Sequence, residues 1–583
     1  MSPSTKQFVH STYFEKEVNG QPNNYLVINE KDGTTGQSRL VFRKNIERPI
    51  WITKPQFRNH SFKKEYEHIG KLDTYMVKEH EKWDACFEIL NGYKPRRKQN
   101  KNNSSSPYIY GVDIDAAALI KTEYLDKNND TYPVIAYGAA DIERSMLGGD
   151  EIIVFTYVSE NWKVCTAIYQ PFLEKPDQPG EFYTEEDIRT NTKEKLIEYL
   201  ALYKQNKDKD TIDLTFDMLD IEYYITDNEL DLIKWLFRCI HNDKPDLCGF
   251  WNIDYDMPAI VEQIKRRGSS LEDVMCHPEV PEEYRYAEYK EDRTEVDHIS
   301  LSWHNMFISG YTRFVDSMCL YSRKRTVQGR DISYALQYIA EKEVKIGKLE
   351  LNGSGYHMYL QKHKFLDYIA YNICDNIPVI LMEKKNSDLM TLIGTSDNSS
   401  IEHFGFPSIG LTNSFYRFAR TKNHVTCAAD RLMKTEFDHL IPSTGGLVLD
   451  PTLTRNTSVS IIDGYEQLYG FCKMVSDIDA AAIYPTICEI CNISKETKCS
   501  TCVDIIGNSE YLTNNINTIN AIPMDDPDRN KKVLKIKGTV VNNLFLHLIA
   551  TTENAVKIGS DYFNLPGYEE MLQIYNATMQ GET

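Results

Sequence analysis

Residues 134–169 read VIAYGAADIERSMLGGDEIIVFTYVSENWKVCTAIY. Three apolar runs sit in this stretch, Val134–Ala140, Glu151–Val158 and Trp162–Tyr169. Each is short, rich in β-branched and aromatic residues, and bounded by turn-forming residues, which is the pattern of a buried strand. The first ends in acids, Asp141-Ile142-Glu143. Further on, helical spacing covers Asn191–Asn206 and Asn228–Ile240, the second behind a Thr226-Asp227 cap signal. A short strand at Leu247–Trp251 and a helix at Asp256–Arg267 follow, then hairpin-like material from Val296 to Tyr321 and helices over Ile332–Glu341 and Lys364–Lys385. Strands interleaved with helices predict an α/β unit from about Tyr132 onward.

On the N-terminal side, residues 1–93 alternate apolar and polar in short runs such as Tyr25–Ile28 and Leu40–Phe42, predicting strands, with a helix over Asp73–Leu90. Lys94–Pro107, KPRRKQNKNNSSSP, is basic and then Asn/Ser-rich. It is read as a surface loop, the alternative being a basic finger on a phosphate backbone. On the C-terminal side the texture changes near His403. Ser443–Pro451 turns into a strand, Tyr469–Asp479 is a strand ending in acids, and a helix starts at Pro485. There is no long-period repeat; Asp113–Ala118 echoes Asp477–Ala482, which is taken as coincidence.

The 583 residues suggest three to five domains at roughly 100–200 residues each. A hydrophobic fraction of 41% and a charged fraction of 26% fit a globular chain. No apolar stretch reaches the about 18 residues of a membrane span, and mean hydropathy is -0.47. MSPSTKQFVH lacks the charged-then-apolar order of a secretory signal, so a cytosolic protein is expected. Cys86, Cys165, Cys239, Cys319 and Cys374 lie among apolar neighbours, as reduced core thiols do. With 66 basic against 85 acidic residues, a protein that coats nucleic acid through uniform positive charge is excluded. An enzyme holding nucleic acid in a local basic groove is not.

Three short motifs carry the chemistry. In Asp141-Ile142-Glu143 the two carboxylates share one face of a strand, and they repel unless a cation sits between them; alone, the tripeptide also fits a solvated strand end. In Asn252-Ile253-Asp254-Tyr255-Asp256, Asp256 opens a helix ahead of Pro258. That position suits an N-cap, and it also points a carboxylate toward the ligand side of a sheet. In Tyr371-Asn372-Ile373-Cys374-Asp375 the spacing puts phenol and carboxylate on one helical face. An ordinary amphipathic helix fits too, but the following run Ile377–Leu381 is apolar, and an acid buried there is costly without a cation.

In order these are D-x-E, N-x2-Y-D and Y-x3-D, and the set resembles the 3′–5′ exonuclease domain of family B DNA polymerases. Asp316–Tyr321 and Ser333–Leu336, between the second and third motifs, are similar to that family as well. The resemblance implies a ribonuclease H-like domain in which Asp141, Glu143, Asp256 and Asp375 bind two Mg2+ or Mn2+ ions. Tyr371 would orient the attacking water, and Asn252 and Tyr255 would shape the single-stranded primer end. A two-metal site clamps the attacking and leaving oxygens of a phosphodiester. Mg2+ prefers carboxylate and water oxygens, so four acids without histidine suit it.

Val475–Ile487, VSDIDAAAIYPTI, resembles the first palm motif of the same family, D-x-x-S-L-Y-P-S-I. Alignment on Tyr484-Pro485 makes Asp479 the metal-binding acid, with Asp477 auxiliary. Ala482 replaces the serine, leaving the backbone amides of Ala480, Ala481, Ala482 and Ile483 to meet a triphosphate, and Tyr484 to stack under the incoming sugar. Asn492–Thr497 is similar to the T-even phage branch, which implies a phage-encoded protein acting in the host cytoplasm. Gly445 and Gly446, in GGLVLDP, resemble the glycine motif that lets backbone approach the template strand. The family's N-S-x-Y-G helix and its Y-x-D-T-D hairpin, which carries the second metal-binding acid, do not occur in these 583 residues. One acid cluster without the other cannot assemble a two-metal polymerase site. The resemblance therefore implies a polymerase that is either split or truncated, and the split is preferred, with this chain as the N-terminal subunit. Its partners would be primer-template DNA, dNTP and a separate C-terminal subunit with fingers, remaining palm and thumb, and a sliding clamp reached through that subunit.

Cys488, Cys491, Cys499 and Cys502 have paired zinc-type spacing, but the first two fall on the helix after the palm motif and the gap is short, so a reduced thiol cluster is preferred and Zn2+ is the alternative. The expected fold class is α/β and α+β multidomain: an N-terminal domain over 1–110, an exonuclease domain over 111–405, an N-terminal return and linker over 406–455, and the N-terminal part of the palm over 456–583. A stand-alone exonuclease with a vestigial palm and a non-catalytic DNA-binding scaffold subunit are the competing readings.

Overall fold

The computed structural model describes residues 6–428, apart from 61–63, 65, 97–98, 100–105, 129–130, 209–211, 294–297, 326–328, 352–356 and 395–400, together with Lys532. The chain divides into two units, Met1–Asp430 and Arg431–Thr583. The elements below all belong to the first.

Strands β1 (Lys6–Val18) and β2 (Gln21–Asp32) form a long hairpin to which β3 (Ser38–Lys44) adds antiparallel. The hairpin turns at Asn19-Gly20, both at positive φ (53° and 72°), the pair favoured where a two-residue turn must match strand twist. β4 (Glu47–Thr53) pairs with β6 (Leu72–Lys78) and with β7 (Ile109–Tyr110), while β5 (Tyr66–His68) lies apart. The expected helix over Asp73–Leu90 is thus half strand. Residues 72–78 alternate in exposure and pair along the whole of β4, and α1 starts only at Lys82 (Lys82–Asn91). Helix α2 (Ala116–Lys127) packs Ile120 and Tyr124 on Phe8, Leu26 and Ile28 of the hairpin. Asp115, within the echoed stretch Asp113–Ala118, caps α2 by accepting from the Ala118 amide at 2.8 Å.

The α/β part runs β8 (Tyr137–Arg144), β9 (Ile152–Ser159), β10 (Lys163–Tyr169), α3 (Glu185–Asn206), β11 (Asp220–Thr226), α4 (Glu229–Asp243), β12 (Leu247–Phe250), α5 (Ile253–Arg266), α6 (Leu271–Met275), β13 (Ala287–Lys290), β14 (Asn305–Ile308), β15 (Arg313–Asp316), α7 (Ser317–Lys324), α8 (Leu336–Val344), α9 (His357–His363), α10 (Phe365–Asn386) and α11 (Asp388–Gly394). α12 (Pro407–Thr421) and β16 (His424–Thr426) follow, and β16 pairs antiparallel with β5. The large sheet has eight strands in the order β11-β10-β9-β8-β12-β15-β14-β13. β9 runs antiparallel to both β8 and β10, whereas β12 runs parallel to both β8 and β15. The fold is therefore mixed α/β around one large mixed sheet.

Helices cover both faces of this sheet, which explains why all eight residues of β9 are buried. Ala139 and Val154 face α3 and α10, while Ala140, Ile142 and Phe155 face α4 and α5. Period-two alternation then turns Asp141 and Glu143 toward α10. Boundaries differ from expectation where hydrogen bonds override pattern. β8 starts at Tyr137, not Val134, and runs through its acids to Arg144 as expected, with Asp141 and Glu143 in register against Thr156 and Val154 of β9. α3 starts at Glu185, since Thr184 and Asp187 form a capping box. α8 starts at Leu336, not Ile332, whose side chain is 92% exposed. The region 296–321 is only partly hairpin: Asp316 ends β15 and caps α7 through the Cys319 amide at 2.6 Å. Among the described residues, no helix is long and apolar enough to cross a membrane.

Candidate functional site

Asp141 and Glu143 emerge from β8 opposite one face of α10. That face carries Tyr368, Tyr371, Asn372 and Asp375, spaced i, i+3, i+4 and i+7, as one stripe of a helix must be. The amide of Asn372 donates to Asp141 Oδ2 at 2.6 Å. The Tyr368 hydroxyl donates to Glu143. One carboxylate oxygen from each of Asp141, Glu143 and Asp375 lies within 4.8 Å of the others, an arrangement able to hold a metal ion.

Asp256 completes the acids from a different element. Pairing of β12 with β8 ends at Gly249 opposite Ala139, and α5 begins a few residues later, so a helix start replaces the strand next to Asp141. Asn252, not Asp256, occupies the N-cap of α5, and Asp256 sits buried in the first turn. Asp256 lies outside the tight three-carboxylate group, yet its charge acts on Asp141 more strongly than that of either other acid.

Burial and mutual repulsion dominate the electrostatics. Burial, then Asp256, Asp375 and Glu143, holds the Asp141 carboxyl well above the usual carboxylate range. Burial pushes Glu143 up to about 7, with Tyr368 opposing. Burial and Glu143 raise Asp256, and burial raises Asp375. Among the described residues a single cation meets them: Lys348 Nζ donates to Asp375 Oδ2 at 2.6 Å and to the Tyr371 hydroxyl at 3.0 Å. Burial pulls this lysine down, but Asp375, Tyr371 and Asp141 outweigh it and hold the ammonium charged. The peptide unit that precedes it is pinned at both of its polar groups, since Tyr199 donates to the Gly347 carbonyl at 2.8 Å and Gln337 accepts from the Lys348 amide at 2.5 Å.

Three buried acceptor oxygens at this site have no hydrogen-bond partner among the described residues: Asn252 Oδ1, Asn372 Oδ1 and Asp375 Oδ1. Buried oxygens left unpaired are costly. Acceptor oxygens in excess of donors, on four carboxylates with one lysine, form the donor set of a hard divalent cation. The residues present thus fit Mg2+ or Mn2+.

The structure brings together Asp141, Glu143, Asp256, Tyr371 and Asp375. Asn252 is at the adjoining helix start, and Tyr255 is 52% exposed with the Arg144 guanidinium 6.0 Å from its ring centre. Sequence reasoning missed Lys348, Tyr368 and Asn372. The last two share the heptad-like stripe of Asp375 and were findable from it. Lys348 lies in a loop 27 positions before Asp375 in the chain and carries no local signal. Asp479, Gly445, Gly446, Ala480, Ala481, Ala482, Ile483, Tyr484 and the cysteines at 488, 491, 499 and 502 lie outside the described residues.

No protein-family model matches the chain, and no curated protein matches it.

Proposed function

We propose that this chain is a divalent-metal-dependent 3′–5′ DNA exonuclease of the family B polymerase kind, and the N-terminal subunit of a split DNA polymerase. The observation that carries the nuclease reading is the meeting of acids from three distant motifs, with three buried acceptor oxygens around them unpaired. The strand order supports a ribonuclease H-like domain: three antiparallel strands, β10-β9-β8, continued by parallel β12 and β15.

Asp141, Glu143, Asp256 and Asp375 would hold the ions. Bound there, Mg2+ or Mn2+ would supply Lewis-acid stabilisation of charge on the scissile phosphate and would lower the pKa of water. The chain's own residues do the rest. Tyr368 and Asn372 fix the rotamers of Glu143 and Asp141. Lys348 holds Asp375 and supplies a hydrogen bond to the Tyr371 oxygen, leaving the phenolic proton to orient water. Tyr255, exposed at the rim, offers a ring face to an unpaired base.

The polymerase half rests on Asp479 and the Tyr484-Pro485 motif, with the partner subunit supplying the second acid. The stand-alone exonuclease is the second reading, favoured because every acid of the nuclease site belongs to Met1–Asp430. Replacing Asp141→Ala with Glu143→Ala tests the nuclease. Degradation of a 3′-labelled single strand in Mg2+ should fall at least about a hundredfold, the loss of several kcal/mol of transition-state stabilisation. An unchanged rate would defeat the assignment.

A further inference from the structure

On the face of the large sheet opposite α10, two thiols and a carboxylate meet. Cys165 on β10 and Glu222 on β11 are direct partners in the parallel register of those strands, so their side chains leave the same face of the sheet. Helix α4 packs on that face and brings Cys239, which shares a buried cluster with Cys165, Ala167, Leu236 and Ile240. One ligand atom from each of Cys165, Glu222 and Cys239 lies within 4.8 Å of the others. Among the described residues no other such group contains two sulfurs.

A tetrahedral ion with bonds of about 2.3 Å to sulfur and about 2.1 Å to oxygen sets its ligand atoms roughly 3.5–3.8 Å apart. The three side chains are therefore within about 1 Å of the spacing that such an ion needs. Cys165 is wholly buried and Cys239 nearly so. Glu222 is half-exposed on β11, the strand at the edge of the sheet. Two ligand positions are thus filled from inside and one from the rim, which leaves the fourth on the solvent side for water.

Charge agrees with this arrangement. The Cys165 thiol donates to the Cys239 sulfur. That bond holds Cys239 below the usual thiol range, and together with burial it raises Cys165. A dication that displaces the shared proton meets two thiolates and one carboxylate, one negative charge too many. Lys163 supplies the balance: it lies two residues before Cys165 on β10, its Nζ is 3.9 Å from Glu222, and its charge favours the thiolate of both cysteines. Its own contact with Glu222 is open to water and worth little, so the carboxylate can turn onto an ion.

We propose that Cys165, Cys239 and Glu222 bind a thiophilic dication of the Zn2+ class, which ties the edge strand β11 and helix α4 to β10. Thiolates select such an ion over Mg2+ and Mn2+, and the site is independent of the nuclease reading.

The test uses the full chain, kept reduced and stripped of metal by a chelator, and titrates Co2+ as a spectroscopic stand-in for Zn2+. Thiolate-bound Co2+ has an ultraviolet charge-transfer band that carboxylate ligation lacks, so the nuclease acids stay silent. Any thiolate beyond Asp430 contributes equally to the chain and to its variants. Cys165→Ser with Cys239→Ser should lose the band of one Co2+ per chain, and Zn2+ should displace that Co2+ from the native chain. Glu222→Gln, a change at a half-exposed side chain, should keep the band and weaken Co2+ binding at least tenfold; it carries the test if the serine pair alters the far-ultraviolet circular dichroism. No band in the native chain, the same band in the serine variant, or an unchanged titration of Glu222→Gln would each overturn the proposal.

Discussion

Lys348 is the residue on which the acid site balances. Four carboxylates in one buried place repel, and among the described residues its ammonium is the only cation whose hydrogen bonds reach both Asp375 and Tyr371. Groups that orient metal ligands from behind typically change affinity or activity 10–100-fold when removed. Lys348→Met should therefore lower nuclease turnover by about tenfold to a hundredfold, with the circular dichroism spectrum retained and the half-saturating Mn2+ concentration altered. Single-turnover degradation assays across a Mn2+ titration measure both, and wild-type values for both would remove the lysine from the mechanism. The phenol of Tyr368 and the amide of Asn372 play a quieter part, each spending a donor on one carboxylate.

At the scale of elements, the site exists because β8 and α10 are held in fixed register. Gln361 on α9 is one clamp. It donates to the Arg144 carbonyl at 2.7 Å and accepts from the Met146 amide at 2.8 Å, just beyond Glu143. Gln361→Leu leaves those backbone groups unpaired, at about 1–3 kcal/mol for each buried orphan. A lower denaturation midpoint and a slower nuclease should appear together; a stable variant with a slow nuclease would instead mean that Gln361 touches substrate. A second junction ties the N-terminal hairpin to the large sheet. His10 Nε2 bonds the Tyr311 carbonyl at 2.7 Å, and Thr12 donates to the Ile308 carbonyl at 2.9 Å. Burial lowers the His10 imidazole from its ordinary value to about 4. A depressed histidine contributes stability that is present above about pH 6.5 and is lost as pH falls toward 4, about 3 kcal/mol at most for this shift. His10→Gln keeps a donor for Tyr311 without a titrating ring. Its urea midpoint should vary less between pH 6.5 and 4 than that of the native chain, and an identical slope would show that the histidine does not report on this junction.

For the whole molecule, the four clustered acids lie inside Met1–Asp430, whereas Asp479, in the stretch that resembles a palm motif, belongs to the segment beyond it. On the proposed reading the first function needs nothing but metal and a 3′ end, and the second needs another polypeptide. Primer extension by the lone chain should be absent, and adding a subunit with a Y-x-D-T-D hairpin should restore it; robust synthesis without that subunit would sink the split-polymerase idea while leaving the nuclease untouched. Much of this was legible in the linear order of residues. Strand runs with both faces apolar announced the α/β unit, because burial on both sides of a sheet removes the polar half of the alternation. D-x-E and Y-x3-D were legible because both spacings are local, fixed by the period of a strand and of a helix. Element edges were less so, since the strand at 72–78 follows from its pairing along the whole of β4, which no local pattern shows. The sequence by itself determined which acids were available and which of them shared a face. Only the tertiary structure decided that Asp256 faces Asp141 and that Lys348, from a loop without periodicity, meets Asp375. Those are contacts between segments that no local rule relates, set by how the sheet, α5 and α10 pack.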